Sequence, residues 1–219
     1  MLMEYPILYS FKRCPYAMRA RMALVLAEIT CEIREVRLNN KPNHMLKVSP
    51  KGTVPVLILK DMVIDESMDI INWAIKKNNL FKGNLEHSEK NFSEELISIF
   101  DDKFKYHLDR YKYSTRYEDD NLEFHRNECH KILISLEKTI SDKNWFFGDK
   151  INKLDISILP FIRQYRIANI DWFDERKDIS KVQIILNNFL NSELFAEIMK
   201  KYDVWEEGDN LVYFPVKNL

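Results

Sequence analysis

The chain has 219 residues, 46% of them hydrophobic and 31% charged, with a formal net charge of −1. That composition is globular rather than disordered, nothing global points to nucleic acid as a partner, and no apolar run is long enough to span a membrane. Charge is uneven, however: residues 1–80 carry a net +4 and residues 81–219 a net −5, which suits a small anionic ligand on the first part.

In chain order, Tyr5 to Phe11 reads as a buried strand. Pro15 to Ile29 reads as a helix, with Ala17, Ala20, Ala23, Leu24 and Ala27 at its small or apolar positions. Cys31 to Leu38 alternates apolar and charged residues, a second strand, and Asn39 to Pro50 is a polar loop with room for one helical turn. Val54 to Leu59 is a continuous apolar strand, Asp61-Met62 a tight connection, and Val63-Ile64 a short fourth strand. Ser67 then opens a helix through Lys77. The order β-α-β, then β-β-α, with a cysteine after the first strand suggests a thioredoxin-like sheet.

From about residue 86 the pattern turns helical. Phe92, Leu96, Ile99, Phe100, Phe104, Leu108 and Tyr111 follow one helix, and Leu122, His125, Cys129, Ile132, Leu133, Leu136 and Ile140 a second. Ile156 to Ile170 and Val182 to Leu190 give two more, and Leu211 to Phe214 is a possible last strand. Asn152 and Asp155 stand at N-cap and N3 spacing, flanked by Ile151 and Ile156 as a hydrophobic staple. The expected architecture is an α/β thioredoxin-like N-terminal domain at 1–80 and an all-α C-terminal domain at 86–219, joined across Asn78 to Glu86.

Cys14 is the foremost chemical candidate. Pro15 suits the first helical position, which leaves Cys14 at the N-cap, beside unpaired N–H groups and the positive end of the helix dipole. A thiol so placed ionises more readily, and the thiolate is the reactive form. Cys31 and Cys129 read as small core hydrophobes. Three cysteines, odd in number and far apart, argue against a disulfide scaffold and for a reducing compartment. With no signal-peptide core at the N-terminus, the cytoplasm is the expected location.

Val54-Pro55 opens the third strand, where a proline removes a ladder donor; in thioredoxin-like sheets that proline is cis and the residue before it offers its backbone to a peptide-like ligand. Glu66-Ser67 starts the next helix, with Ser67 placed to cap it and, with the helix N–H groups, to receive a carboxylate.

At these residues the sequence resembles the glutathione transferase family, particularly its cysteine-type members such as the omega class. Ser49-Pro50-Lys51-Gly52-Thr53-Val54-Pro55-Val56-Leu57 and Glu66-Ser67 are similar to that family's glutathione site. Trp145-Phe146-Phe147-Gly148 with Asn152-x-x-Asp155 is similar to its second-domain core and capping box, with Asn152 where the family usually has Ser or Thr. The resemblance implies that Cys14 forms a mixed disulfide with, or activates, the glutathione sulfur. Val54, with the cis Pro55, pairs with the cysteinyl backbone of glutathione. Glu66 and Ser67 hold its γ-glutamyl end, and Lys41 reaches the glycyl carboxylate. It also implies a homodimer.

Cys14-Pro15-Tyr16-Ala17 lacks the second cysteine of a dithiol glutaredoxin, which favours a cycle in which a second glutathione resolves the mixed disulfide. The expected activity is glutathione-dependent thiol transfer or reduction on a small oxidised or electrophilic substrate, with glutathione as cosubstrate and no metal. Conjugation is less favoured, because it needs a hydroxyl-type donor to stabilise the glutathione thiolate. The alternative is a non-catalytic interaction protein of the same fold. Other residues carry two readings each. Tyr9 is an activator or a packing residue. Lys12, Arg13, Arg19 and Arg21 attract anions or line a solvated helix face. Tyr106, Tyr111, Tyr113 and Trp172 line a substrate pocket or belong to the core. His125 and Cys129, one helical turn apart, are metal ligands or packing.

Overall fold

The computed structural model describes residues 5–82, 87–117, 121–140 and 142–215. Two compact units divide the chain, Met1–Leu80 with Ser192–Leu219, and Phe81–Asn191. The sequence reading places 86–219 in one helical domain; the structure returns the last stretch to the first unit. Residues 83–86 of the expected boundary lie outside the described residues.

In the first unit, β1 (Ile7–Ser10), α1 (Pro15–Leu26) and β2 (Cys31–Glu35) form a parallel β-α-β unit, pairing Leu8 with Ile33 and Tyr9 with Arg34. After α2 (Asn43–Val48) come β3 (Val56–Ile58), β4 (Val63–Ile64) and α3 (Ser67–Asn78), with β3 antiparallel to β1 and Leu8 opposite Leu57. This is the thioredoxin-like arrangement. α1 stops three residues short of its expected end because Glu28 turns left-handed at φ 54, and Asn79 does the same after α3 at φ 51. After α10 (Glu193–Ile198) the chain runs back to the sheet, and β5 (Tyr213–Phe214) adds antiparallel to β2. The strand order is β4-β3-β1-β2-β5.

α1 is buried on all its faces: Ala17, Met18, Ala20, Met22, Ala23 and Leu24, but also Arg19 and Arg21. It packs against both α3 and α10, so the sequence option of a solvated arginine face is corrected. The small alanines permit that close packing; the arginines must then be satisfied internally.

Among the described residues, the regular elements of the second unit are all helices. α4 (His87–Ile99) continues through a π-helical turn, Phe100–Phe104, into α5 (Lys105–Lys112). Phe100 and Phe104 lie stacked, 4.3 Å apart, and both are buried. α6 (Leu122–Glu137), α7 (Lys153–Ala168), α8 (Ile170–Asp174) and α9 (Ser180–Leu190) complete it. Asn169 ends α7 and caps α8, its side chain accepting from Trp172 N–H, so the expected single helix to Ile170 is two. α7 is the core helix, buried from Leu154 to Ile162. Its start is a full capping box: Asn152 Oδ1 accepts from Leu154 N–H, and Asp155 accepts from Asn152 N–H at 2.8 Å and Phe146 N–H at 3.0 Å. Among the described residues, no helix is long and apolar enough to cross a membrane.

Candidate functional site

The β1–α1 junction presents Cys14. It is the N-cap of α1, extended at φ −74 and ψ 124, with Pro15 opening the helix and no acidic residue in its first turn. Its backbone is fixed on both sides: Cys14 N–H donates to Phe11 O, and Met18 N–H donates to Cys14 O. The side chain is half-buried against a cluster that includes Tyr9, Ala17, Val54 and Val56. Cys14 Sγ lies 3.7 Å from Val54 O, and the Val54-Pro55 bond is cis. The structure thus brings together two expected site residues forty positions apart, the thiol and a backbone segment facing it. No disulfide joins the three cysteines. Cys31 and Cys129 are fully buried, donate to Phe214 O and Phe104 O, and burial raises both thiols far above their ordinary value.

The turn before Val54 is tied to the start of α3. Ser49 Oγ donates to Asp65 at 2.8 Å, and Lys51 Nζ sits 2.6 Å from Glu66 and 3.4 Å from Asp65. The Ser49 hydrogen bond, aided by Lys51, holds the Asp65 carboxyl below its ordinary value against partial burial. Gly52 adopts φ +62, and a Cβ there would stand 3.7 Å from Lys41 Cδ, so the Lys41 side chain lies over this turn. Lys41 also lines a cavity of about 230 Å³ with Arg37, His44 and Trp205.

The structure corrects one detail at α3. Glu66, not Ser67, is the N-cap residue, and its carboxylate makes no capping bond. Ser67 is the first helical residue, nearly buried, and its hydroxyl accepts from Arg19 Nη1 at 3.4 Å. Sequence reading therefore missed Arg19 and Asp65 as supports of the Glu66-Ser67 corner. The available signals were an arginine among alanines in a helix and an aspartate next to Glu66.

Tyr9 is fully buried. Arg34 Nη1 donates to its hydroxyl at 2.8 Å, and the hydroxyl lies 2.8 Å from His44 Nδ1. Arg34 also stacks 4.2 Å over Trp205. Burial raises the Tyr9 phenol above its ordinary value, Arg34 opposing. These contacts make Tyr9 a packing and hydrogen-bonding residue of the sheet.

In the second unit the aromatic candidates separate. Tyr111 is core, 5.5 Å from Tyr165, which lies 6.0 Å from Trp172. Tyr106 and Tyr113 are exposed, with Arg110 over the first and Arg116 over the second. His125 Nδ1 faces His107 Nδ1 at 2.7 Å while Cys129 bonds Phe104 O, so the two expected alternatives resolve toward packing. Among the described residues, no group of three or more His, Cys, Asp or Glu could hold a metal ion.

Comparison with known proteins fits this geometry. Residues 8–81 match the family model "Glutathione S-transferase, N-terminal domain". The probable glutathione S-transferase parA of Nicotiana tabacum is 30% identical over 161 residues, covering 71% of this chain and 70% of that protein. A glutathione transferase family member from Pseudomonas fluorescens pf-5, solved with two glutathione bound, superposes with a TM-score of 0.77 at 17% identity, over 90% of this chain and 92% of that one. The Tau class MiGSTU of mango, Mangifera indica, gives 0.76 at 21% identity over 91% and 94%. Omega 3C from Trametes versicolor gives 0.74 at 18% identity, over 91% of each. The structures show the shared fold, and the sequence match across most of parA shows the kinship: this chain belongs to the glutathione S-transferase family.

Proposed function

We propose that this glutathione transferase works by thiol transfer, with Cys14 as its nucleophile and glutathione as cosubstrate. The observation that carries this reading is Cys14 Sγ at the α1 N-cap, 3.7 Å from the Val54 carbonyl at a cis proline. A helix N-terminus favours a thiolate, and a backbone carbonyl beside it is where a cysteinyl amide would pair. The glutathione held by the Pseudomonas fluorescens relative supports the ligand.

In the proposed cycle the Cys14 thiolate attacks the glutathione sulfur of a glutathionylated substrate. A Cys14–glutathione disulfide forms, the substrate's S–S bond breaks, and its sulfur leaves as a thiolate that takes up a proton. A second glutathione, as thiolate, then attacks that same glutathione sulfur. Oxidised glutathione leaves and Cys14 returns as thiolate, so each turn consumes one free glutathione and exchanges the substrate's mixed disulfide for that of oxidised glutathione. The one-cysteine cycle follows from the burial of Cys31 and Cys129, which gives Cys14 no internal partner of comparable exposure.

Val54 holds the cysteinyl backbone through its own N–H and C=O beside Pro55. Ser67 and the first turn of α3 receive the γ-glutamyl carboxylate, and Glu66 its ammonium. Lys41, over the Gly52 turn, meets the glycyl carboxylate. A homodimer in the cytoplasm, acting on a small oxidised or electrophilic substrate, completes the proposal. A binding module without catalysis has no use for a thiol so placed.

Cys14→Ser is expected to abolish thiol-transferase turnover while leaving glutathione affinity within severalfold. Turnover unchanged in that variant overturns the mechanism.

A further inference from the structure

Lys12, two residues before Cys14 in the loop, is held by groups that the thiol chemistry does not itself use. Lys12 N–H donates to Glu35 Oε1 at 2.6 Å, and Arg21 Nη2 donates to Lys12 O at 2.6 Å. The backbone of one residue, Lys12, is therefore held at its N–H from β2 and at its C=O from α1. Arg21 Nη1 also donates to Ser10 Oγ at 2.6 Å, fixing the end of β1 where the loop begins. Both gripping side chains are buried, Arg21 1% exposed and Glu35 8%.

Burying a charged pair is costly and is weak evidence for stability alone. Burial raises the Glu35 carboxyl above its ordinary value, opposed by the Lys12 hydrogen bond and the Arg21 charge. An apolar pair would fill the same space between α1 and β2 without that cost. What it could not do is hold a polar loop peptide in register.

The C-terminal stretch closes over this arrangement. Trp205 N–H donates to Glu35 O at 2.8 Å, and Val204 bridges Glu35 in parallel. Tyr202, from the same stretch, lies within electrostatic reach of both Arg21 and Glu35.

We propose that Glu35 and Arg21 are positioning residues for Cys14, holding the N–H and the C=O of Lys12 so that the thiol stays at the helix N-cap beside Val54. The inference rests on Cys14 being the reactive thiol, but it concerns the loop that carries it. A displacement of the order of an ångström costs such a site about a hundredfold in rate.

The test is the rate of Cys14 alkylation by iodoacetamide in the intact folded protein, read by mass spectrometry at fixed pH. Glu35→Ala is expected to slow it about tenfold or more, and Glu35→Gln, which keeps an oxygen for the Lys12 N–H, to restore it within about threefold. Hydrogen exchange at the Lys12 amide should rise in Glu35→Ala while the Met18 amide stays protected. Should Glu35→Ala not fold, Arg21→Lys, which keeps the charge but loses the two-pronged donation, is expected to slow alkylation similarly at an intact far-UV spectrum. Equal alkylation in the folded variants, or no rescue by Glu35→Gln, overturns the inference. If Glu35→Ala slows alkylation while Cys14→Ser keeps turnover, the clamp stands and the thiol-transfer reading fails; the reverse pattern spares the mechanism and removes the clamp.

Discussion

Glu66 and Ser67 are neighbours with different surroundings, and that difference decides what each substitution does. Glu66 is exposed and paired with Lys51, an arrangement worth little to stability in water. Ser67 is nearly buried and accepts from a fully buried arginine, Arg19. If Ser67 receives the γ-glutamyl carboxylate, Ser67→Ala removes one hydrogen bond to a charged group, worth about 1.5–3 kcal/mol. The KM for glutathione is then expected to rise about 10–100-fold with a smaller change in kcat. Steady-state kinetics with varied glutathione checks this, and an unchanged KM assigns Ser67 to Arg19 alone. Cys14's place was legible in the sequence because Pro15 punctuates the helix start. The burial of Arg19 and Arg21 was not. An arginine in a helix ordinarily marks a solvated position, and one of the elements packed against α1 is α10, some 170 positions later.

At the scale of elements, the start of α7 is a local determinant of the helical unit, a full capping box. Asp155 is fully buried and accepts from two backbone amides, those of Phe146 and Asn152. Asp155→Ala is expected to destabilise the protein by about 2–4 kcal/mol, the cost of a lost cap plus an unsatisfied buried amide, measured by urea unfolding. Burial raises this carboxyl to about 7, the Phe146 and Asn152 amides pulling the other way. A carboxyl raised on folding binds more protons folded than unfolded. Its contribution is therefore complete below about pH 4 and is lost as pH rises through about 7. Asp155→Asn should remove that part of the slope between pH 4 and 7; an identical slope in the variant contradicts it. This capping box was readable from Asn152 and Asp155 alone, because its geometry is local. The π-helical turn at Phe100–Phe104 was not, since apolar residues four apart serve an α-helix equally well.

At the scale of the whole chain, the sequence boundary divides the charge differently from the fold. Residues 1–80 carry a net +4, but residues 192–219 bring three basic and six acidic residues back to that unit. Its net charge is then +1, so attraction of an anion rests on local groups such as Lys41 rather than on the unit's overall field. The β-α-β and β-β-α order was legible from periodicity. The fifth strand's partner was not, because pairing Phe214 with Cys31 is a contact across most of the chain. Phe214 is fully buried, and Phe214→Ala is expected to cost about 3–5 kcal/mol by urea unfolding. A loss below about 0.5 kcal/mol, the range of surface changes, would show that the last strand contributes little to this unit.

The central claim is that Cys14 is the thiol that exchanges with glutathione. Intact-mass spectrometry after incubation with oxidised glutathione, followed by peptide mapping, tests it most directly. One glutathionyl group on Cys14, absent in Cys14→Ser and removed by reduced glutathione, is the expected result. No adduct between pH 6 and 9, or an adduct on Cys31 or Cys129 instead, contradicts the account.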